Sequence, residues 1–219
     1  MNKQLTLNIR LRDDATFGNF VGSAAGRIRY GAGLVFVFGA EGTGKSHLLQ
    51  ALCRSVNQAG GTSIYLQNPG SHPPDILGSL DSFSLVCLDD IETSIGNEAW
   101  EIELFHLINS IVDGGSRLVI SSNVPAASLQ IQLPDLASRL RAAVAVETDS
   151  LTDTQKLEVL KIRANNRGFA LNDEVARFIL GRASRDMNHL VDLLSKLEAE
   201  TLRLQKKLTI PFVKQTLQL

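Results

Sequence analysis

No run of about eighteen apolar residues occurs in the chain, so nothing in it reads as a membrane-spanning helix. The opening residues, Met1-Asn2-Lys3-Gln4, lack the apolar centre of a secretory signal. Cysteine is scarce. Cys53 and Cys87 are the only two, and they fall in an expected helix and an expected strand. That placement argues for buried small hydrophobes rather than a disulfide or a metal pair. The four histidines show no metal spacing, and Glu103-x-x-His106 is half of a carboxylate-bridged metal motif whose second half is missing. Net charge is only −1, which argues against an autonomous duplex-DNA binder, because neutralising phosphates supplies most of such affinity. With 44% apolar residues there is enough material for a real core. These absences leave a cytosolic globular protein of one large domain, or one large and one small.

What is present begins with Gly39-Ala40-Glu41-Gly42-Thr43-Gly44-Lys45-Ser46, which spells G-x-x-x-x-G-K-[ST]. The apolar run Leu34–Phe38 leads in as a buried strand, and His47 to Asn57 leads out as a helix. In such a loop Gly39, Gly42 and Gly44, with Thr43, let backbone N–H groups turn inward around phosphates at a helix N-terminus. Lys45 would reach the β- and γ-phosphates and the Ser46 hydroxyl would hold Mg²⁺.

Strand-like runs alternate with helical ones through the first two-thirds of the chain. Strands are expected at 34–39, 62–67, 84–89, 117–121 and 143–147, with helices notably at 47–57 and 97–112. The pattern predicts an α/β core, a five-stranded parallel sheet covered on both faces. Gly114-Gly115 closes the second helix, and 68–74, rich in proline, reads as an irregular loop. After Asp149 no strand is expected. Thr152 or Asp153 caps a helix to Asn166, Asn172 caps another, a long amphipathic one covers 186–207, and Thr209 with Pro211 opens a fourth. The expected domains are an N-terminal segment 1–12, a nucleotide-binding core 13–150 and a small all-helical lid 151–219. Residues 1–150 hold ten basic against fifteen acidic side chains, and the rest twelve against eight. The basic part suits an acidic partner or a neighbouring subunit, a homo-oligomer included, or is plain solvated helix surface.

Leu85-Val86-Cys87-Leu88-Asp89-Asp90 is an apolar strand ending in two carboxylates, the Walker B pattern. Asp89 would hold Mg²⁺ through its water shell, and Asp90 could orient or deprotonate an attacking water. Asn123 closes the run Ser121-Ser122-Asn123, where its amide could touch the γ-phosphate or simply cap a turn. Arg139 lies in a short helical piece before the last strand. It is either a surface residue or an arginine finger aimed at another subunit's nucleotide.

These clusters fall in the order of the AAA+ ATPases, and more narrowly the chain resembles the DnaA family of replication initiators. Phe17-Gly18-Asn19-Phe20-Val21-Gly22 resembles that family's Phe-x-x-Phe-Val segment, which implies that Phe20, Val21 and Gly22 contact the adenine. Gly44-Lys45-Ser46-His47-Leu48 resembles its phosphate loop, placing His47 at the nucleotide. Asn123 falls at sensor 1, Arg139 at the arginine finger and Arg185, ahead of Met187 and Leu190, at sensor 2. The resemblance covers core and lid only, the pattern of the regulatory inactivators within the family, the Hda branch. Leu133–Leu140 and Lys207–Lys214 resemble that branch. So does Gln4-Leu5-Thr6-Leu7, similar to its peptide for the β sliding clamp of DNA polymerase III, with Asn8 where the branch has proline. Gln4, Leu5 and Leu7 would make the clamp contacts, unless the alternation of Leu5, Leu7, Ile9 and Leu11 marks an edge strand. The resemblance implies a negative regulator of replication initiation. It would bind ADP or ATP with Mg²⁺, meet DNA only through the clamp, and stimulate hydrolysis of DnaA-bound ATP. It would act on DnaA rather than as a stand-alone enzyme.

Two other readings fit parts of the pattern. A helicase loader of the same branch would want basic or aromatic residues along a single-strand groove. Aromatics are only 5% of the chain and its first part is acidic. A P-loop phosphotransferase acting on a small molecule would carry several arginines in a lid within the sheet domain, and the segments between these strands are poor in arginine.

Overall fold

The computed structural model describes residues 15–218. They form two compact units. One comprises residues 15–17 and 23–148, and the other 18–22 and everything from Asp149 onward. The first boundary differs from the expected division, because Gly18–Gly22 group with the helical unit and not with the core. Among the described residues no helix is long and apolar enough to cross a membrane.

The larger unit is built on five parallel strands: β1 (Leu34–Phe38), β2 (Ser63–Gln67), β3 (Leu85–Asp89), β4 (Arg117–Ser122) and β5 (Val144–Glu147). Their order across the sheet is β2-β3-β4-β1-β5. β1 and β3 are apolar on both faces because helices cover both, as parallel sheets require. Phe36, Val86, Leu88 and Ile120 pack with Trp100, Leu104 and Ile108 of α3 (Glu98–Gly114). The opposite face meets α2 (Lys45–Gln58), where Cys53 and Cys87 are both free and buried, their thiols donating to the carbonyls of Ile64 and Leu49 at 3.8 Å. Two shorter helices complete the unit, α1 (Ala24–Tyr30) and α4 (Pro134–Ala142). The stretch 68–74 is more regular than its prolines suggested. It holds a 3₁₀ turn at Pro69–Ser71 and leads into a longer one, Pro74–Ser82, which buries Ile76, Leu77 and Leu80.

Register brings the carboxyl ends of the strands level. Phe38 pairs with Ser122 and Gln67 with Asp89. The loop after β1, the acids ending β3 and the polar end of β4 therefore share one edge of the sheet, the edge where open α/β sheets take ligands.

The helical unit contains α5 (Asp153–Asn166), α6 (Asp173–Arg182), α7 (Met187–Leu204) and α8 (Ile210–Leu217). Each starts at a side chain that accepts a first-turn N–H: Thr152, Asn172, Asp186 and Thr209. Thr152 and Gln155 form a reciprocal capping box. The core is aliphatic, with Leu160, Ile179, Leu190, Leu194 and Leu197 at its centre.

Candidate nucleotide site

The phosphate loop is stapled to the sheet from below. Gly39 accepts no side chain, since a Cβ there would collide with the carbonyl and hydroxyl oxygens of Thr148. The Thr43 hydroxyl donates to the Ala40 carbonyl at 2.8 Å and lies 2.7 Å from the Thr148 hydroxyl. Gly44 sits at φ 92°, a conformation that favours glycine, and starts α2 without any side-chain cap. A helix start without a side-chain cap suits an anionic acceptor at its first-turn amides.

Lys45 is buried and uses its ammonium fully. It donates to the carbonyls of Gly39 at 2.7 Å and Ala40 at 3.0 Å, and to Asn123 Oδ1 at 2.8 Å. Burial lowers its pKa, and the nearby Asp90 and Asp89 oppose the shift. Asn123 stands just past β4 and links Lys45 to an acid that the sequence did not single out. Its amide nitrogen donates to Glu92 Oε1 at 2.5 Å and its backbone N–H donates to the same oxygen at 3.0 Å. The other oxygen, Glu92 Oε2, is buried without a partner.

Asp89 is fully buried at the end of β3 and is held by two hydroxyls. Tyr65 of β2 donates to Oδ2 at 2.5 Å, and Ser121 of β4 donates to Oδ1. Burial and the adjacent Asp89 push the Tyr65 hydroxyl far up, so it keeps its proton. Asp90 takes a left-handed backbone, φ 59° and ψ 54°, as the strand turns into the 3₁₀ turn Ile91–Thr93. Its N–H donates to Ser121 Oγ at 3.1 Å. Burial raises its carboxyl, with repulsion from Asp89 adding to the shift.

The other expected site residues are distributed as follows. Arg139 lies on the outer face of α4, exposed, and has no partner among the described residues, while Leu136 and Leu140 of the same helix are buried. Glu101, also unnoticed in the sequence, holds the start of α4. Its buried carboxylate accepts the N–H groups of Gly96, Gln132 and Leu133 at 2.7–2.9 Å. The His47 ring is engaged with the Thr16 carbonyl at 2.9 Å, so its position at the nucleotide loop serves the lead-in chain. Phe20, Val21 and Gly22 belong to the helical unit. So does Arg185, whose guanidinium is exposed and lies 3.4 Å from Asp153. Gln4, Leu5 and Leu7 lie outside the described residues.

Tyr65, Glu92, Glu101 and Thr148 escaped the sequence because each makes a contact that spans 24 residues or more. A survey of polar residues at the carboxyl ends of the strands would have turned up Glu92 and Thr148. No spacing rule marks Tyr65 or Glu101.

Comparison with known proteins places this architecture. The family described as Hda, lid domain, matches residues 153–217. An uncharacterised protein of Haemophilus influenzae is 39% identical over 231 residues, spanning all of both chains. Domain III of the Thermotoga maritima replication initiation protein DnaA superposes with a TM-score of 0.79 at 21% identity, covering 96% of this chain and 98% of that one. DnaA of Aquifex aeolicus, bound to AMPPCP, gives 0.70 at 20% identity, covering 85% of this chain and 66% of that one. The fold is that of the DnaA AAA+ domain, the lid matches Hda, and the chain belongs to the DnaA/Hda-like AAA+ proteins.

Proposed function

We propose that this DnaA-related protein is a negative regulator of replication initiation that works as a nucleotide-bound activator in trans. The observation that carries the reading is Arg139. A rigid helix anchored by Leu136, Leu140 and the Glu101 carboxylate presents to solvent a permanently charged guanidinium that has no partner among the described residues. Such a group suits completion of a neighbouring protein's ATP site, and ATP-bound DnaA is the neighbour that the family points to.

The chain's own nucleotide, ADP or ATP, would lie on the uncapped start of α2, with Lys45 leaving its carbonyl partners for the phosphates. The A. aeolicus relative bound to AMPPCP supports this assignment. Hard oxygen donors fit Mg²⁺. Ser46 and Asp89 would hold it, and no three-ligand protein cage is needed, since Mg²⁺ usually keeps water and phosphate ligands. None exists among the described residues. The bound ion would supply charge neutralisation at the phosphates. Asn123 and Asp90 would face the terminal phosphate, and Phe20, Val21, Gly22 and Arg185 are further nucleotide contacts that the family resemblance implies. Gln4, Leu5 and Leu7 would dock in the sliding clamp, bringing the protein to DNA indirectly, in the cytoplasm.

The test is turnover of DnaA-bound ATP in the presence of this protein, clamp and DNA. An arginine supplied in trans raises phosphoryl transfer roughly 10³–10⁵-fold in other nucleotide hydrolases. Arg139→Ala and Arg139→Lys should both abolish the stimulation and keep ADP affinity. Alanine at positions 4, 5 and 7 should remove the clamp dependence alone. An Arg139→Ala protein that stimulates at the wild-type rate would refute the reading.

A further inference from the structure

Lys45 is tied, at one remove, to a carboxylate with no part in the roles assigned to Asp89 and Asp90. An ammonium carries three protons. Here all three are given away, to the carbonyls of Gly39 and Ala40 and to Asn123 Oδ1. The first two acceptors belong to the phosphate loop itself. Asn123 stands just past β4, 78 residues from Lys45 in the chain.

Glu92 decides which end of the Asn123 amide meets the lysine. Its Oε1 accepts an N–H from the Asn123 side chain at 2.5 Å and the Asn123 backbone N–H at 3.0 Å. A carboxylate only accepts, so it takes the NH₂ end of the amide and turns Oδ1 toward Lys45. Flipping the amide would set oxygen against carboxylate and NH₂ against ammonium. Glu92 is held in turn by its own setting, the turn Ile91–Thr93. There Ile91 is fully buried, the Thr93 hydroxyl donates to the Asp90 carbonyl at 2.9 Å, and the Ser94 hydroxyl donates to the Ile91 carbonyl at 2.8 Å. The second oxygen, Glu92 Oε2, is buried without a partner. The charge of Glu92 is therefore answered through Asn123, with the Lys45 ammonium behind it.

We propose that Glu92 is an autoinhibitory residue: through Asn123 it holds Lys45 on an internal partner and so lowers the affinity of the site for a nucleoside diphosphate. The inference rests on the nucleotide reading of the site and adds a brake to it. To meet a β-phosphate, the ammonium must give up bonds that it already makes. The bond to Asn123 is the one controlled from outside the loop, and hydrogen bonds from a charged donor are the strong kind. A residue that only prepared Asn123 for a terminal phosphate would favour binding, whereas a brake opposes it. A diphosphate has no third phosphate for Asn123 to meet, so ADP reads the brake alone.

The test is calorimetry with the full chain and ADP in EDTA, which keeps metal out of the comparison. Binding by the wild type that is lost in Lys45→Ala establishes the nucleotide site by itself. Glu92→Gln keeps the size of the side chain and removes its charge. It should bind ADP about five- to tenfold more tightly than the wild type. Asn123→Ala, a change at an exposed position that takes the acceptor from Lys45, should gain at least as much. The double variant should bind no more tightly than Asn123→Ala, as expected for two groups acting in one chain. Equal or weaker binding by Glu92→Gln overturns the inference. So does a Glu92→Gln gain that persists in full in the Asn123→Ala background, because it would be plain relief of repulsion between Glu92 and the phosphates. A wild-type protein that binds no ADP refutes the nucleotide reading, and the brake with it.

Discussion

The two units of this protein begin their helices in opposite ways. In the helical unit every helix opens on its own side chain: Thr152, Asn172, Asp186 and Thr209 each accept an N–H from the turn that follows. In the sheet unit only α3 does so, through Asn97. α4 begins without a local cap, and its lead-in amides go to Glu101, about thirty residues away. α2 begins on a glycine with no side-chain cap. The difference separates what folding needs from what binding needs. Local caps make a small helical bundle cohere from short-range rules. A helix start left open, in a sheet stiff enough to tolerate it, is the part of the molecule that suits an anion.

Breaking the long-range substitute should cost most. Glu101→Ala would strand three backbone N–H groups that now share one buried carboxylate. Stability should fall by about 3 kcal/mol, read as a shift of the urea midpoint. Stimulation through Arg139 should fall with it, since α4 loses its anchor.

Lys45→Ala comes next and acts on binding more than on folding. It removes a charge-assisted contact worth about 1.5–3 kcal/mol, so ADP affinity should drop roughly ten- to hundredfold by calorimetry. Unchanged affinity would mean that the open start of α2 is not a phosphate site.

A local cap is worth less. Asp186→Ala should destabilise the chain by about 1 kcal/mol, seen as a modest fall in melting temperature. A loss as large as that of Glu101→Ala would erase the distinction between the two kinds of helix start.

The smallest effect concerns the carboxyl of Asp90. Folding raises it above its usual 3.8, so the folded state holds that proton more tightly. The stability it contributes is complete below pH 3.8 and lost as pH rises through the higher folded value. At neutral pH the ionised group is a small burden beside Asp89. Asp90→Asn should therefore raise the melting temperature slightly at pH 7, and the gain should vanish in acid. A gain that persists below the carboxylate range would point to packing instead.

The same split governs how much of the molecule could be read in advance. All five strands were legible, because buried parallel strands write apolar runs bounded by turn residues, and their observed ends lie within one residue of expectation. The starts of the helices in the helical unit were legible, since their caps are local, but α7 ends at Leu204, three residues short of expectation. Helix α1 and the long 3₁₀ turn Pro74–Ser82 were not foreseen. The former is seven residues long, and in the latter prolines and Gly78 mask the apolar positions that it buries. At the site, the loop, the paired acids and Asn123 were visible because the chemistry demands them at fixed spacing. Tyr65, Glu92 and Thr148 were not, because strand order and register alone bring them to their partners.

The buried thiols of Cys53 and Cys87 give the molecule a built-in clock. They lie in the seam between α2 and β3, and both are 0% exposed. A thiol reagent can reach them only when that seam parts, so the rate of labelling counts local openings between β3 and the helix that follows the nucleotide loop. A ligand that binds the closed form alone slows such openings in proportion to its saturation. Two ordinary cysteines, with no role in the chemistry, thus let the occupancy of the site be timed from inside the core.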